Sequence, residues 1–351
     1  VNQTPCYVLG GTGYVAGELL RLLVTHPGLA IRGVMSDSQA GSRIRDSFPN
    51  LQSSLGEQVF LSKAELLDSL PAGRAALFSA APHGASAALI AEFIAHAQDI
   101  FCELSVVDVS ADFRFADPDD YAAVYGQAHD APQLLEHFAS ALPEHLPATD
   151  RPHIGHPGCF ATALLMASVP VMALGWSKGD LHAVGITGST GSGRSPTATT
   201  HHPERHSNLF AYKPLDHRHA PEVMNICAAV TGQRPRLRFV PHSGPFARGI
   251  HLTLQASLAQ PASNDELRDA LADFYSDCPF VTVRDGSPRL KDVLGSNHCH
   301  LGVHTDGESL VVFVVIDNLV KGAAGGAIQW MNRLLGLPET TGLEAPALAW
   351  T

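Results

Sequence analysis

Apolar residues follow two rhythms along the chain. Before about Pro152, short apolar runs at Cys6 to Leu9, Ala30 to Met35, Ala75 to Phe78 and Leu104 to Val109 alternate with helical spacing at Leu19, Leu20, Leu22 and Leu23 and at Ala85 to His96. Strands separated by helices predict a parallel, doubly wound sheet. Beyond Pro152 the rhythm changes: Ile250, Leu252, Leu254, Ala256 and Leu258 alternate with His251, Thr253, Gln255 and Ser257. That period of two belongs to a strand with one buried face, and predicts an antiparallel sheet. Ala183 to Ile186, Phe280 to Val283 and Leu310 to Ile316 are further strand candidates, and Asp265 to Tyr275 is a helix candidate. The last segment, Gly322 to Leu335, begins with small residues and continues at helical spacing through Ile328, Met331, Leu334 and Leu335, which predicts a closely packed helix. No internal repeat or low-complexity linker interrupts the pattern.

Composition narrows the class. A length of 351 residues suits two domains. With 45% hydrophobic and only 16% charged residues, neither disorder nor a nucleic-acid-binding tail is expected. A net charge of -11 disfavours nucleic acid and anionic membranes as partners, leaving small molecules and other subunits. No apolar run approaches a membrane span and no signal peptide is read at the start, so a cytoplasmic location is expected. The six cysteines lack C-x-x-C spacing and read as reduced thiols.

Two glycine-rich turns and one cysteine carry the candidate chemistry. Gly10, Gly11, Thr12, Gly13, Tyr14 and Val15 lie between the first strand and helix, where backbone N–H groups and the helix dipole can hold a pyrophosphate. The spacing is not the standard G-x-G-x-x-G, and a simple tight connection is the alternative. After the second strand, Ser36, Ser38 and Arg43 suit the 2'-phosphate of NADP, whereas Asp37 would suit the ribose hydroxyl of NAD. Cys159 follows His156-Pro157-Gly158 and opens an apolar helix, whose N-terminus favours a thiolate; a buried structural thiol is the alternative. The loop Gly188 to Arg194, with Ser189, Gly191 and Ser192, can hold an anion through N–H groups, hydroxyls and a guanidinium, or be a flexible surface loop. Histidines crowd residues 201–219, but no carboxylate or thiol completes a cage, and no metal is expected.

At this point a resemblance enters. Ile154-Gly155-His156-Pro157-Gly158-Cys159-Phe160-Ala161-Thr162-Ala163 resembles the signature of the N-acetyl-gamma-glutamyl-phosphate reductases, type 1, which belong with the aspartate-semialdehyde and glyceraldehyde-phosphate dehydrogenases. Gly10 to Leu19, Pro82-His83-Gly84, Ser110 to Arg114, Gly188 to Arg194, His217 to Glu222, Arg248-Gly249-Ile250 and Asp317 to Gly325 resemble further segments of that family. The resemblance implies a Rossmann-type doubly wound NADP domain, residues 1–152 and 322–351, with a returning C-terminal helix. It also implies a second, α+β domain, residues 153–321, built on a largely antiparallel sheet. The implied reaction is reduction of an acyl phosphate to an aldehyde through a Cys159 thioester, with His219 or His217 moving the proton and NADP(H) as cofactor. Pro82, Gly191, Ser192 and Asn318 join the cofactor residues, and Arg114, His156, Ser189, Arg194 and Arg248 are expected at the substrate. A homo-oligomer, dimer or tetramer, is implied.

His156 stands where the family usually has Asn, and Ala16 where the nucleotide turn usually ends in Gly. Pro221 is expected to open a helix and leave His219 just outside it. The rivals are a reductase of carrier-linked aminoadipyl phosphate in lysine biosynthesis, a cysteine acyltransferase or hydrolase, and a nonenzymatic NADP sensor. The acyl-transfer rival needs no nucleotide turn and the sensor needs no Cys159.

Overall fold

The early apolar runs form β1 (Thr4–Leu9), β2 (Leu29–Val34), β3 (Gly73–Ser79) and β4 (Cys102–Asp108), joined by the shorter β5 (Phe138–Ala139) and β6 (His153–Gly155). In this computed structural model, which describes residues 3–349, they make one sheet in the order β2-β1-β3-β4-β6-β5, with every pair parallel. Parallel strands need crossovers, and the helices Tyr14–Leu23 and Ser86–Asp99 supply two of them. Leu9, Leu77, Ile90, Phe93 and Val106 pack together as the core. The last helix, Gly325–Leu334, returns to this unit, packing on β4 and on the Tyr14–Leu23 helix, with Trp330 Nε1 donating to the Ala141 carbonyl at 2.9 Å.

The second sheet holds β7 (Ser177–Thr187), β8 (Phe210–Ala211), β9 (Leu237–Ser243), β10 (Ile250–Leu258), β11 (Val281–Val283), β12 (Cys299–Thr305) and β13 (Ser309–Ile316). Its order is β11-β12-β13-β10-β7-β9-β8. The β11–β12 and β7–β9 pairs are parallel and the other pairs antiparallel, so the sheet is mixed. The Cys159–Ala173 helix lies on one face and is buried all round from Phe160 to Val171, which is why its sequence reads as one apolar run. Gly185 marks the close approach: a Cβ there would stand 2.4 Å from the Phe160 ring.

The first unit comprises the chain up to Ala141, Ala148–His156 and Ala324–Glu344; the second comprises Leu142–Pro147, Pro157–Ala323 and the tail from Ala345. The sequence boundaries at 152 and 321 thus lie a few residues early, since β6 adds to the parallel sheet. Residues 142–147 and the tail go with the second unit instead of the first.

Candidate functional site

The first unit carries the nucleotide turn. Gly10 has φ +71°, and a Cβ there would lie 2.5 Å from the Ala81 nitrogen. At Gly11 a Cβ would meet Val34 at 2.6 Å, so both glycines are required by the backbone itself. Gly13 differs. It caps the Tyr14–Leu23 helix in extended conformation, with nothing within 4 Å of a Cβ position, leaving room for a group to approach the helix N-terminus. Ala16 is fully buried, so the helix packs closely there without a glycine.

After β2, the Ser36 and Ser38 hydroxyls lie 3.4 Å apart, while the Asp37 carboxylate accepts the Lys63 N–H at 2.8 Å. Arg43 is partly exposed and meets Glu57 at 3.4 Å. In the Pro82-His83-Gly84 loop, Asp112 holds the Gly84 and Ala87 N–H groups at 2.8 and 3.0 Å and the Tyr121 hydroxyl at 3.1 Å. Asp108 accepts from Ser86 and Ser110, and burial raises its pKa to about 6 despite those bonds. The Ser110 to Arg114 segment is therefore largely scaffold. Arg114 follows suit: buried, it donates through Nε to the His156 carbonyl at 2.9 Å and through Nη2 to Val109 at 3.0 Å. His156 is wholly buried, and its backbone N–H donates to Asp108 at 2.7 Å.

The second unit gathers the cysteine and its neighbours along one edge of its sheet. Registered pairs place Phe210, Ser243, Thr187, Ile250 and Ile316 in a row across β8, β9, β7, β10 and β13. Loops leave this row at Gly188, Gly244 and Asp317. Cys159 begins its helix behind an extended Gly158 and is partly buried. Gly322 is pressed against it: a Cβ at 322 would stand 2.8 Å from the Cys159 Cβ. The small residues after Asp317 were expected to serve helix packing; Gly322 instead makes room for the thiol-bearing residue.

His217 is enclosed by Phe160, Tyr212 and Phe239, with ring centroids 5.6–5.8 Å away. Its Nδ1 accepts the His219 N–H at 3.3 Å, and the two imidazoles lie 4.7 Å apart. Burial first, then the Arg218 and Lys213 charges, lowers the His217 pKa to about 4. His219 is buried and is the first residue of the His219–Thr231 helix. The expectation that Pro221 opens this helix is corrected: Arg218 already has helical angles, φ -54° and ψ -23°, so the two histidines do not share a strand face.

The Gly188 loop departs from its expected role. Ser189 and Thr190 donate their N–H groups to Phe246 and Ala247, and Gly191 and Gly193 bond within the loop, so few backbone donors remain for an anion. Ser192 ends a short 3-10 helix, Ser189–Ser192, and Arg194 is exposed. Asn318 is committed at both ends of its amide, accepting from Gly249 at 2.6 Å and donating to Thr190 at 3.1 Å. Arg248 forks onto the buried Asp317 at 2.9 and 3.1 Å, and Asp317 also accepts the Gly295, Leu319 and Val320 N–H groups. Arg248 and Asn318 thus fix the edge rather than lying open on it.

Two charged groups escaped the sequence reading. Glu222, fully buried, accepts the Gly158 N–H at 2.8 Å and so holds the turn before Cys159. Its signal was its spacing, three residues beyond His219 and hence on the same helical face. Lys321 pairs with Glu144, each 1% exposed, and anchors the residue before Gly322. A lysine in an apolar run gave no hint of its partner 177 positions away. Among the described residues no metal-binding group of three His, Cys, Asp or Glu is found.

Residues 6–146 match the semialdehyde dehydrogenase NAD binding domain, and residues 159–318 the semialdehyde dehydrogenase dimerisation domain. Among solved structures, aspartate semialdehyde dehydrogenase II of Vibrio cholerae, complexed with ASA, superposes with TM-score 0.68 at 15% identity, covering 96% of this chain and 99% of that one. The Candida albicans aspartate semialdehyde dehydrogenase with NADP gives 0.65 at 17%, covering 95% and 99%. At that identity they show the fold alone; the two domain matches give the class, a two-domain oxidoreductase of semialdehyde dehydrogenase type. Curated relatives are closer in sequence. The N-acetyl-gamma-glutamyl-phosphate reductases of Acidithiobacillus ferrooxidans and Marinobacter nauticus are each 38% identical, and that of Pseudomonas aeruginosa 37%, over 97% of this chain and 98% of each relative. The chain belongs to the N-acetyl-gamma-glutamyl-phosphate reductase family.

Proposed function

We propose that the protein reduces N-acetyl-gamma-glutamyl phosphate to N-acetylglutamate 5-semialdehyde and phosphate, with NADPH as reductant, the step its relatives' names describe in arginine biosynthesis. The observation that carries this reading is Cys159 at a helix start, braced by Gly322 and the Glu222-held turn, in a chain of this family. The Cys159 thiolate attacks the acyl carbon, the carbon–oxygen bond to phosphate breaks, and phosphate leaves with the electron pair. The nicotinamide, when bound, supplies a hydride to the thioester carbonyl. First-turn N–H groups of the Cys159 helix have no carbonyl partner within that helix, and stabilise the tetrahedral oxyanion. His219 accepts the thiol proton and returns it to the departing sulfur; His217, kept neutral, donates a hydrogen bond to substrate.

Gly10, Gly11 and Gly13 shape the backbone for the pyrophosphate. Ser36, Ser38 and Arg43 favour a 2'-phosphate, since the competing Asp37 is already bonded to Lys63. The open face of the second sheet bears Val184, 44% exposed, with Val240 registered to it, Ile186 two residues along the same strand and Phe313 in line across Thr253, and a second copy would cover it. The dimerisation-domain match supports that homo-oligomer. No helix of the described residues is long and apolar enough to cross a membrane.

The test runs the reaction backward, with the semialdehyde, phosphate and NADP or NAD, following NADPH or NADH absorbance. Phosphate-dependent turnover, faster with NADP, lost in Cys159→Ser with nucleotide binding retained, is expected. Full activity in Cys159→Ser removes the thioester; a higher kcat/KM with NAD reverses the cofactor assignment.

A further inference from the structure

Arg205 has no role in the chemistry above, yet it is built like a binding residue. It is 8% exposed, and Nη1 donates to the Asn208 carbonyl at 3.1 Å. Its Nε and Nη2 have no hydrogen-bond partner among the described residues. Those two nitrogens form one edge of the guanidinium, the fork that grips a carboxylate or phosphate with two parallel bonds. The same fold shows that use elsewhere: Arg248 holds Asp317 through its own Nε and Nη2. A buried guanidinium edge left without an acceptor is costly, so a fold that keeps one implies an anion to meet it.

The place of Arg205 says which anion. Its guanidinium carbon lies 5.9 Å over the centre of the Phe210 ring. Phe210 is registered with Ser243 and Ser243 with Thr187; Thr187 is two residues from Gly185, which faces Phe160 of the cysteine helix. Registered partners share a face and residues two apart point the same way. Phe210 is therefore on the Cys159-helix side of the sheet; β8 ends at Ala211, but the Tyr212 N–H donates to the Pro241 carbonyl at 3.1 Å and so continues the pairing with β9, placing Tyr212 on the same side roughly 7 Å from Phe210 at about 3.4 Å per residue. Tyr212 in turn lies against His217, with ring centroids 5.6 Å apart. In a glutamyl chain the α-carboxylate is four carbon–carbon bonds of about 1.5 Å from the acyl carbon, roughly 5 Å when extended. An acyl group held on Cys159 would project its carboxylate over roughly 5 Å of the roughly 7 Å between Tyr212 and Phe210, and the Arg205 guanidinium over the Phe210 ring would meet it there.

We propose that Arg205 is a specificity residue that binds the α-carboxylate of the acyl substrate through Nε and Nη2. The assignment rests on the proposed reaction and gives its carboxylate a partner. The test compares the wild type with Arg205→Gln and Arg205→Lys in the reverse direction. Two aldehydes are used, N-acetylglutamate semialdehyde and 4-acetamidobutanal, which lacks the carboxylate, and phosphate is varied in a separate arm. Arg205→Gln should raise the KM for the carboxylate-bearing aldehyde about 100-fold, by loss of a charged hydrogen-bonded pair, with kcat changed little. Arg205→Lys, which keeps the charge and tests the fork alone, should raise it about tenfold. With 4-acetamidobutanal, kcat/KM should be the same in all three proteins. Equal losses on both aldehydes, or unchanged KM values in both variants, overturn the assignment, and a rise confined to the KM for phosphate gives Arg205 to the phosphate instead. A wild type that does not oxidise the semialdehyde at all sinks the proposed reaction, and the carboxylate assignment falls with it. Should Arg205→Gln not fold, Arg205→Lys and the aldehyde pair still decide.

Discussion

The His217 imidazole is surrounded by Phe160, Tyr212 and Phe239, and its Nδ1 is occupied as an acceptor by the His219 N–H. A ring whose pKa is lowered to about 4 holds no proton to give at neutral pH, and its remaining Nε2–H is a fixed donor. A proton carrier must take up and release its proton near the working pH, which His217 does not, so the proposed carrier is His219, with His217 as a hydrogen-bond donor to substrate. Asparagine substitutions separate the roles. His219→Asn should reduce kcat about 100-fold and flatten its pH dependence, whereas His217→Asn should chiefly raise KM. A pH profile unchanged in His219→Asn, measured over pH 6 to 9, returns the proton to His217. Sequence spacing alone could not choose between the rings, because the choice depends on the aromatic enclosure, two walls of which, Phe160 and Phe239, come from tens of positions away.

Gly322 shows how an element positions the proposed nucleophile. It lies in the irregular turn Val320–Ala324, fixed on one side by Asp317, which accepts the Leu319 and Val320 N–H groups, and on the other by the buried Lys321–Glu144 pair. With a Cβ 2.8 Å from that of Cys159, Gly322→Ala must displace either the turn or the start of the cysteine helix. A shift of order 1 Å at the reacting atom can cost about 100-fold, so kcat for this variant should fall by that factor with nucleotide affinity retained. Turnover within twofold of wild type would show that the contact is not restrictive. The element-scale reading of the sequence succeeded where periodicity is strong: Ile250–Leu258 is a strand over the range predicted, and Tyr14–Leu23 and Asn264–Phe274 are helices. It missed β5 and β6, which are two and three residues long and exist only because the parallel sheet offers them partners. It also passed over β9 and β12, whose histidines and arginine disguise the alternation. The Gly188 loop was read as a source of free N–H groups; the backbone of residues 246–247, distant in sequence, takes them.

Across the whole molecule, buried titratable groups are unevenly divided, and acid should act on the two units differently. In the second unit, burial lowers the pKa of His145 and of His217 from 6.5 to about 4. A histidine with a depressed folded pKa contributes stability that is present above about pH 6.5 and is lost as pH falls toward 4, because the unfolded chain binds the proton first. His251, His298 and His300 in the same unit are lowered in the same direction, also by burial. The first unit has His153, likewise lowered to about 4, and His26, lowered as well. It also has Asp108, whose pKa burial raises from 3.8 to about 6. That carboxyl has the opposite sign: the folded state takes up its proton first, so stability is gained as pH falls from about 6 to 3.8. Between pH 6 and 4 Asp108 opposes His153, and the second unit carries five histidines lowered by burial, His145, His217, His251, His298 and His300, against His26 and His153 in the first. The second unit should therefore loosen first on acidification. Hydrogen exchange at pH 7.0, 5.5 and 4.5, corrected for intrinsic rates, should show protection lost in peptides from β10 and the Cys159–Ala173 helix before those from β1 and β3. Asp108→Asn removes the opposing group and should bring β1 and β3 closer to the second unit's profile at pH 4.5. Simultaneous loss of protection in both units of the wild type, or earlier loss in β1 and β3, would mean that these charges do not set the order of unfolding.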